Sequence, residues 1–234
     1  MTLPSLLITR PQASATRFAA GLARDVRQRV KIVTSPLFEI VPTGIRPDLS
    51  RYAGIIFTSS NAVALAPKVN HRPAYCVGHI AAERAKAAGW TIFAEEQTAE
   101  HLIARISEMA PAGPLLHLAG KHRRGDIAAR LTALGITTEV HVLYDQNAVD
   151  LSAEAHALLK GAAPVIVPLF SPRSAALFVD QTPHLHNVII VAMSDAVALC
   201  CQGLGAARIL VVAAPTGQEM LRTVEKVVRS SSLA

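Results

Sequence analysis

The sequence predicts an α/β protein made of two parallel-sheet lobes, one of them discontinuous, joined by a two-stranded linker. Three observations lead there. Short apolar runs rich in β-branched residues alternate with segments whose apolar residues recur every three to four positions, the signature of strand-helix-strand units. A length of 234 residues is generous for one compact domain and comfortable for two, each with its own core. Two stretches, 37–41 and 138–144, read as extended chain with no helix attached.

Along the chain, the expected strands are 6–9, 54–58, 74–77, 91–94, 115–118, 165–169, 188–192 and 209–213. Helical stripes lie between them at Phe18/Leu22/Val26, Leu102/Ile103/Ile106, Ile127/Leu131/Leu134 and Leu221/Val224/Val228, each able to cover one sheet face. In 138–144, Val140, Val142 and Tyr144 alternate with Glu139, His141 and Leu143. If that stretch pairs with 37–41, the first lobe consists of 1–36 and 147–234, the linker of 37–41 and 138–146, and the second lobe of 42–137. Few contacts cross such a linker, so it would permit hinge motion. The turn entered from Ile56 and Phe57, and the turn entered from Leu169 and Phe170, echo each other as an apolar strand, a polar turn and a helix.

Composition narrows the class. Hydrophobic residues make up 51% and charged residues 17%, which fits a globular chain, and no apolar run approaches the ~20 residues of a membrane helix. The N-terminal apolar stretch is short, lacks a basic start and meets Arg10 and Pro11, so no export signal is expected. Cys76, Cys200 and Cys201 are odd in number and show no metal-ligand spacing, which fits reduced thiols in the cytoplasm and no metal. The nine histidines are dispersed, with only His184 and His186 close together. The net charge of +6 suits an anionic partner. With aromatics at 4% and the cations scattered, a small acidic ligand is favoured over nucleic acid. Neither a dinucleotide fingerprint, a phosphate loop nor a nucleophile elbow is present.

Ligands of open parallel sheets gather at the carboxyl ends of the strands, where backbone N–H groups and helix dipoles meet anions. Thr9-Arg10, Thr58 to Asn61, Ser171 to Ser174, Ser194 and Pro215-Thr216 all fall at such junctions. Each hydroxyl there has a second role open to it, as a helix N-cap. Two serine turns, ending at Ser59 and Ser171, are expected to face one another across a cleft for an anionic substrate. Lys121, His122, Arg123 and Arg124 precede a helix start, where a cation calls for a nearby anion. That anion could be a bound carboxylate or Asp126. Tyr144, ending the second linker strand, could aim its phenol at the cleft or pack with a satisfied hydroxyl.

Taken in order, Ile8-Thr9-Arg10-Pro11, Phe57-Thr58-Ser59-Ser60-Asn61-Ala62-Val63, Val77-Gly78 with Gly89, Leu143-Tyr144, Leu169-Phe170-Ser171-Pro172-Arg173-Ser174-Ala175 and Ala214-Pro215-Thr216 resemble the uroporphyrinogen-III synthase family over nearly the full chain. The resemblance implies a lyase that closes the linear tetrapyrrole hydroxymethylbilane to uroporphyrinogen III, inverting ring D, without metal or organic cofactor. It implies loss of the terminal hydroxyl to an azafulvene, attack by the substituted carbon of ring D, a spiro intermediate, then fragmentation and reclosure. Carried over by position, Tyr144 would assist hydroxyl departure. Ser59, Ser171 and Thr216 would bind carboxylates, largely through neighbouring N–H groups, with Arg10, Asn61, Lys121, Arg173 and Ser194 as further substrate-binding residues. The chain departs from the family pattern at Ala81 and Val197, where threonine is common, at Ser194, where a glycine is expected, and at Ala119, where an arginine often precedes Gly120. These departures bear on individual contacts more than on backbone geometry. The expected protein is a cytoplasmic monomer that binds neither nucleic acid nor membrane. Its unstable substrate leaves room for a transient contact with the preceding pathway enzyme. The alternative is a bilobal binding protein that closes on a small polyanion without turnover.

Overall fold

The computed structural model describes residues 3–123, 125–182 and 185–230. Of the residues singled out above, Arg124 and His184 lie outside this set. The chain divides into two compact units, 1–39 with 148–234, and 40–147.

The first unit is built on five parallel strands in the order β11-β10-β9-β1-β2: β1 (Ser5–Ile8), β2 (Lys31–Thr34), β9 (Val165–Leu169), β10 (Val188–Ala192) and β11 (Arg208–Val211). Strand alternation sends Leu7, Val167 and Ile190 into one core and Leu6, Ile166 and Ile189 into the other. Helices α7 (Ala153–Lys160), α8 (Pro172–Asp180) and α9 (Asp195–Leu199) cover the first face through Leu159, Phe178 and Val197. Helices α1 (Gln12–Gly21), α2 (Arg24–Arg27) and α10 (Gly217–Arg229) cover the second through Phe18, Val26 and Val224. Both faces are buried, which is why β9, β10 and, after Ser5, β1 are apolar throughout rather than alternating. Pro168 is tolerated in β9 because the β1–β9 ladder covers only Val165 and Ile166, before the missing N–H would be needed.

The second unit holds a six-stranded sheet in the order β3-β8-β7-β4-β5-β6, from β3 (Phe38–Pro42), β4 (Gly54–Phe57), β5 (Arg72–Val77), β6 (Trp90–Glu96), β7 (Leu115–Gly120) and β8 (Thr138–Ala148). Helices α3 (Ser60–Leu65) and α4 (His79–Ala87) pack on the face of Phe57 and Leu118. Helices α5 (Ala99–Met109) and α6 (Ile127–Ala133) pack on the face of Ile56 and Leu115. The two segments read as a linker are the neighbouring strands β3 and β8, and β8 is also paired in parallel with β7, so it is a full member of this sheet.

Two local expectations are corrected. The Phe18/Leu22/Val26 stripe is not one helix: α1 ends at Gly21, Leu22 is extended, and a short second helix follows. All three side chains still reach the same core. Strand β2 was not anticipated, because Lys31-Ile32-Val33-Thr34 is an edge strand, flanked by Arg29 and Val30, with a single fully inward residue, Val33.

Candidate functional site

In the second unit, β4 and β7 end side by side where β8, parallel to β7 and continuing to Ala148, passes Tyr144, so that Thr58-Ser59, Gly120-Lys121 and Tyr144-Asp145 come together. The β7–β8 register slips by one residue between Ala119, which faces Val142, and Gly120, which faces Tyr144. Such a bulge breaks alternation, so consecutive Leu143 and Tyr144 both enter the α3/α4 core. The simple alternation expected for 138–144 therefore fails at Leu143 and Tyr144.

The re-aimed Tyr144 is 4% exposed and donates from its hydroxyl to Ser59 Oγ at 2.9 Å. Its ring lies against Gly120, where a Cβ would come within 2.5 Å of Cζ and 2.8 Å of the hydroxyl oxygen. Ser59 is the N-cap of α3 and also accepts the Asn61 N–H at 3.2 Å. With both acceptor positions of Ser59 engaged, its own O–H is left to donate.

Lys121 does not wait for a substrate anion. Its ammonium donates to Asp145 Oδ2 at 2.7 Å, and His122 Nε2 lies 3.2 Å from Asp145 Oδ1. The hydrogen bond from Lys121 holds the Asp145 carboxyl below its usual range, joined by the Gln146 N–H. Asp126 caps α6 by accepting the Ala129 N–H at 3.0 Å. Asp145 thus answers the Lys121 charge, and Asp126 the start of α6.

In the first unit, Arg10, Ser171, Ser194 and Thr216 follow the carboxyl ends of β1, β9, β10 and β11. Arg10 stacks on Phe170 with Cζ 4.0 Å from the ring centroid. Burial, with help from the Arg17 charge, lowers its pKa to about 10, which leaves it cationic at neutral pH. Arg173 lies over Phe38 at 4.6 Å. Ser171 and Ser174 form a reciprocal capping box, each hydroxyl accepting the other's backbone N–H at 3.1 Å. Thr216 caps α10 by accepting the Glu219 N–H at 3.2 Å. Ser194 stands at the N-cap of α9 without a capping bond from its hydroxyl. Ser59, Ser171 and Thr216 are therefore helix caps in fact: their oxygens already accept a backbone N–H, and toward an anion only their O–H can serve, as donor.

Among the described residues, no three His, Cys, Asp or Glu side chains are grouped to hold a metal ion. No described helix is long and apolar enough to cross a membrane.

The model of the family described as uroporphyrinogen-III synthase HemD matches residues 22–222, most of the chain. The chain belongs to the uroporphyrinogen-III synthase family. Its activity is that of a cyclising lyase of tetrapyrrole biosynthesis, closing hydroxymethylbilane to uroporphyrinogen III with inversion of ring D and loss of water. The fold agrees. The uroporphyrinogen-III synthetase of Helicobacter pylori superposes with a TM-score of 0.67 at 18% identity, covering 96% of this chain and all of that one (100%). A mutant uroporphyrinogen III synthase of Thermus thermophilus gives 0.50 at 10% identity, over 97% and 99% of the two chains. No curated protein matches the sequence significantly.

Three residues of this strand-end cluster carry no motif signal in the sequence. Gly120 matters through the ring it accommodates, and Asp145 through the Lys121 ammonium it binds. His117 was grouped with the dispersed histidines. It is buried in β7, with Nε2 3.0 Å from Thr58 Oγ1. Its only sequence signal is a histidine inside an otherwise apolar strand, between Leu116 and Leu118.

Proposed function

We propose that the synthase reaction is carried in this chain by Tyr144, with Ser59 as its partner. The observation that supports this most is the 2.9 Å Tyr144–Ser59 hydrogen bond beside the carboxyl ends of the parallel strands β4 and β7. Loss of the terminal hydroxyl of hydroxymethylbilane needs a proton donor for the departing oxygen. The Tyr144 phenol can turn from Ser59 to that oxygen, and Ser59, which has an unused O–H, can reverse its role and donate to the phenol oxygen. The hydroxyl leaves as water, the azafulvene end is attacked by the substituted carbon of ring D, and the resulting spiro centre fragments and recloses. The substrate is intrinsically reactive, so the protein's task is to favour the inverted closure by positioning and electrostatics.

Arg10, Ser59, Asn61, Lys121, Ser171, Arg173, Ser194 and Thr216 bind the substrate's carboxylates in this reading. The net charge of +6 supports a polyanionic ligand, and the aromatic stacking of Arg10 and Arg173 supports fixed rather than swinging cations. Lys121 takes part by exchanging Asp145 for a substrate carboxylate. We further propose a monomer working in the cytoplasm and receiving its short-lived substrate by transient contact with the enzyme that makes it. The free thiols Cys76 and Cys201, pushed by burial to about 12 and about 11, suit a reducing compartment.

Because Ser171 Oγ and Ser174 Oγ satisfy each other's backbone, Ser171→Ala is expected to cost about 1 kcal/mol of stability and to raise KM less than about fivefold. Ser59→Ala is expected to lower kcat as well, since it removes the partner of Tyr144. Steady-state kinetics on hydroxymethylbilane generated in situ separates the two. Equal effects of both changes on kcat would contradict the assignment of Tyr144 and Ser59 as a pair.

A further inference from the structure

Successive residues of a strand point to opposite faces, and the end of β4 is held from both. Ile56 and Leu115 share the α5/α6 core, and two residues further on Thr58 and His117 meet across the same strand pair at 3.0 Å. Phe57 and Leu118 share the α3/α4 core, where Ser59 receives the Tyr144 hydroxyl. Thr58 and Ser59 are adjacent, so one peptide unit joins the two hydrogen bonds.

His117 is 4% exposed and, among the described residues, is the only Asp, Glu, Lys, Arg or His that is buried. Burial, reinforced by the Arg123 charge and opposed by Asp126, lowers its pKa to about 4, so the imidazole is neutral near pH 7. A neutral imidazole has one donor and one acceptor nitrogen, and it can hold a single hydroxyl in a fixed orientation. Packing alone would be served better by leucine, which fills the flanking positions 116 and 118 and carries no desolvation cost.

We propose that His117 is a positioning residue for the synthase reaction: it fixes the Thr58 hydroxyl and, through the peptide that joins Thr58 to Ser59, the acceptor on which Tyr144 rests. This rests on the assignment of Tyr144 and Ser59 to the chemistry. Misplacement of a reacting group by a fraction of an ångström is costly to turnover and nearly invisible to substrate affinity.

The test is steady-state kinetics of the full chain on hydroxymethylbilane generated in situ, with near-ultraviolet circular dichroism to verify folding. Thr58→Val and His117→Leu should each lower kcat about tenfold with KM within about twofold. The double variant should be no worse than either single, because both break the same bond. Thr58→Ser, which restores the hydroxyl, should recover kcat. If His117→Leu does not fold, Thr58→Val at the half-buried strand end decides alone. A folded Thr58→Val with wild-type kcat beside an impaired Tyr144→Phe overturns the role of His117 and leaves that of Tyr144 standing. Losses that multiply in the double variant overturn it as well. An unimpaired Tyr144→Phe instead removes Tyr144 from the chemistry, and with it the route through which His117 acts.

Discussion

Tyr144→Phe is expected to lower kcat about 100-fold while leaving the fold intact. The phenyl ring keeps its place against Gly120 and in the α3/α4 core, so the packing that positions residue 144 survives. What disappears is one hydroxyl, the donor to Ser59, whose Oγ still accepts the Asn61 N–H and still caps α3. One lost hydrogen bond costs about 1 kcal/mol of stability. The loss should therefore be almost entirely kinetic, with KM little changed, because the proton it supplies matters only as the hydroxyl departs. Thermal melts and steady-state rates measured on the same preparation check this. A Tyr144→Phe protein with wild-type kcat would remove the phenol from the chemistry.

Gly120→Ala is expected to impair both stability and turnover, and the contrast with Tyr144→Phe is diagnostic. The new methyl would sit 2.5 Å from Tyr144 Cζ and 2.7 Å from Cε2, closer than carbon atoms can approach, so ring or strand must move. Overpacking of this kind costs about 1–3 kcal/mol. The displaced ring takes the hydroxyl away from Ser59, and kcat should fall at least as far as in Tyr144→Phe. Gly120 has no positive φ to protect, so the effect comes from the close approach of the ring and not from backbone strain. A folded Gly120→Ala of unaltered melting temperature and rate would show that the Tyr144 ring is not held where the bond to Ser59 requires it.

The fold is largely readable because parallel sheets buried on both faces leave continuous apolar strands such as Val165 to Leu169 and Val188 to Ala192, separated by stripes of helical period. The serine turns were readable for a related reason: N-caps need Ser or Thr, and strand-to-helix junctions of parallel sheets are where ligands meet backbone. What was hidden depends on contacts distant in sequence. The bulge that turns Tyr144 into the same core as Leu143 is set by the pairing with Ala119 and Gly120, some two dozen positions earlier, and no local pattern announces it. For the anion near Lys121 the sequence offers a bound carboxylate or Asp126, yet Asp145 on the neighbouring strand supplies it. His117 looked like one of several scattered histidines, although its place between two leucines of a buried strand already signalled a polar group that must find a partner. Strand β2 was missed because an edge strand with one inward side chain carries too little periodicity to register.

The two serine turns are bonded differently: Ser171 is tied into its own capping box, whereas Ser59 is tied to a phenol, so the proposed chemistry falls on the Ser59 turn alone. A binding protein that merely closes on a polyanion has no need of that asymmetry.

The most direct measurement adds the purified protein to freshly generated hydroxymethylbilane, oxidises the product and separates the porphyrin isomers. Uroporphyrin III should replace the isomer I that forms by unassisted closure. Isomer I at the level seen without protein, even alongside tight capture of the tetrapyrrole, would contradict the synthase assignment and leave a binding protein in its place.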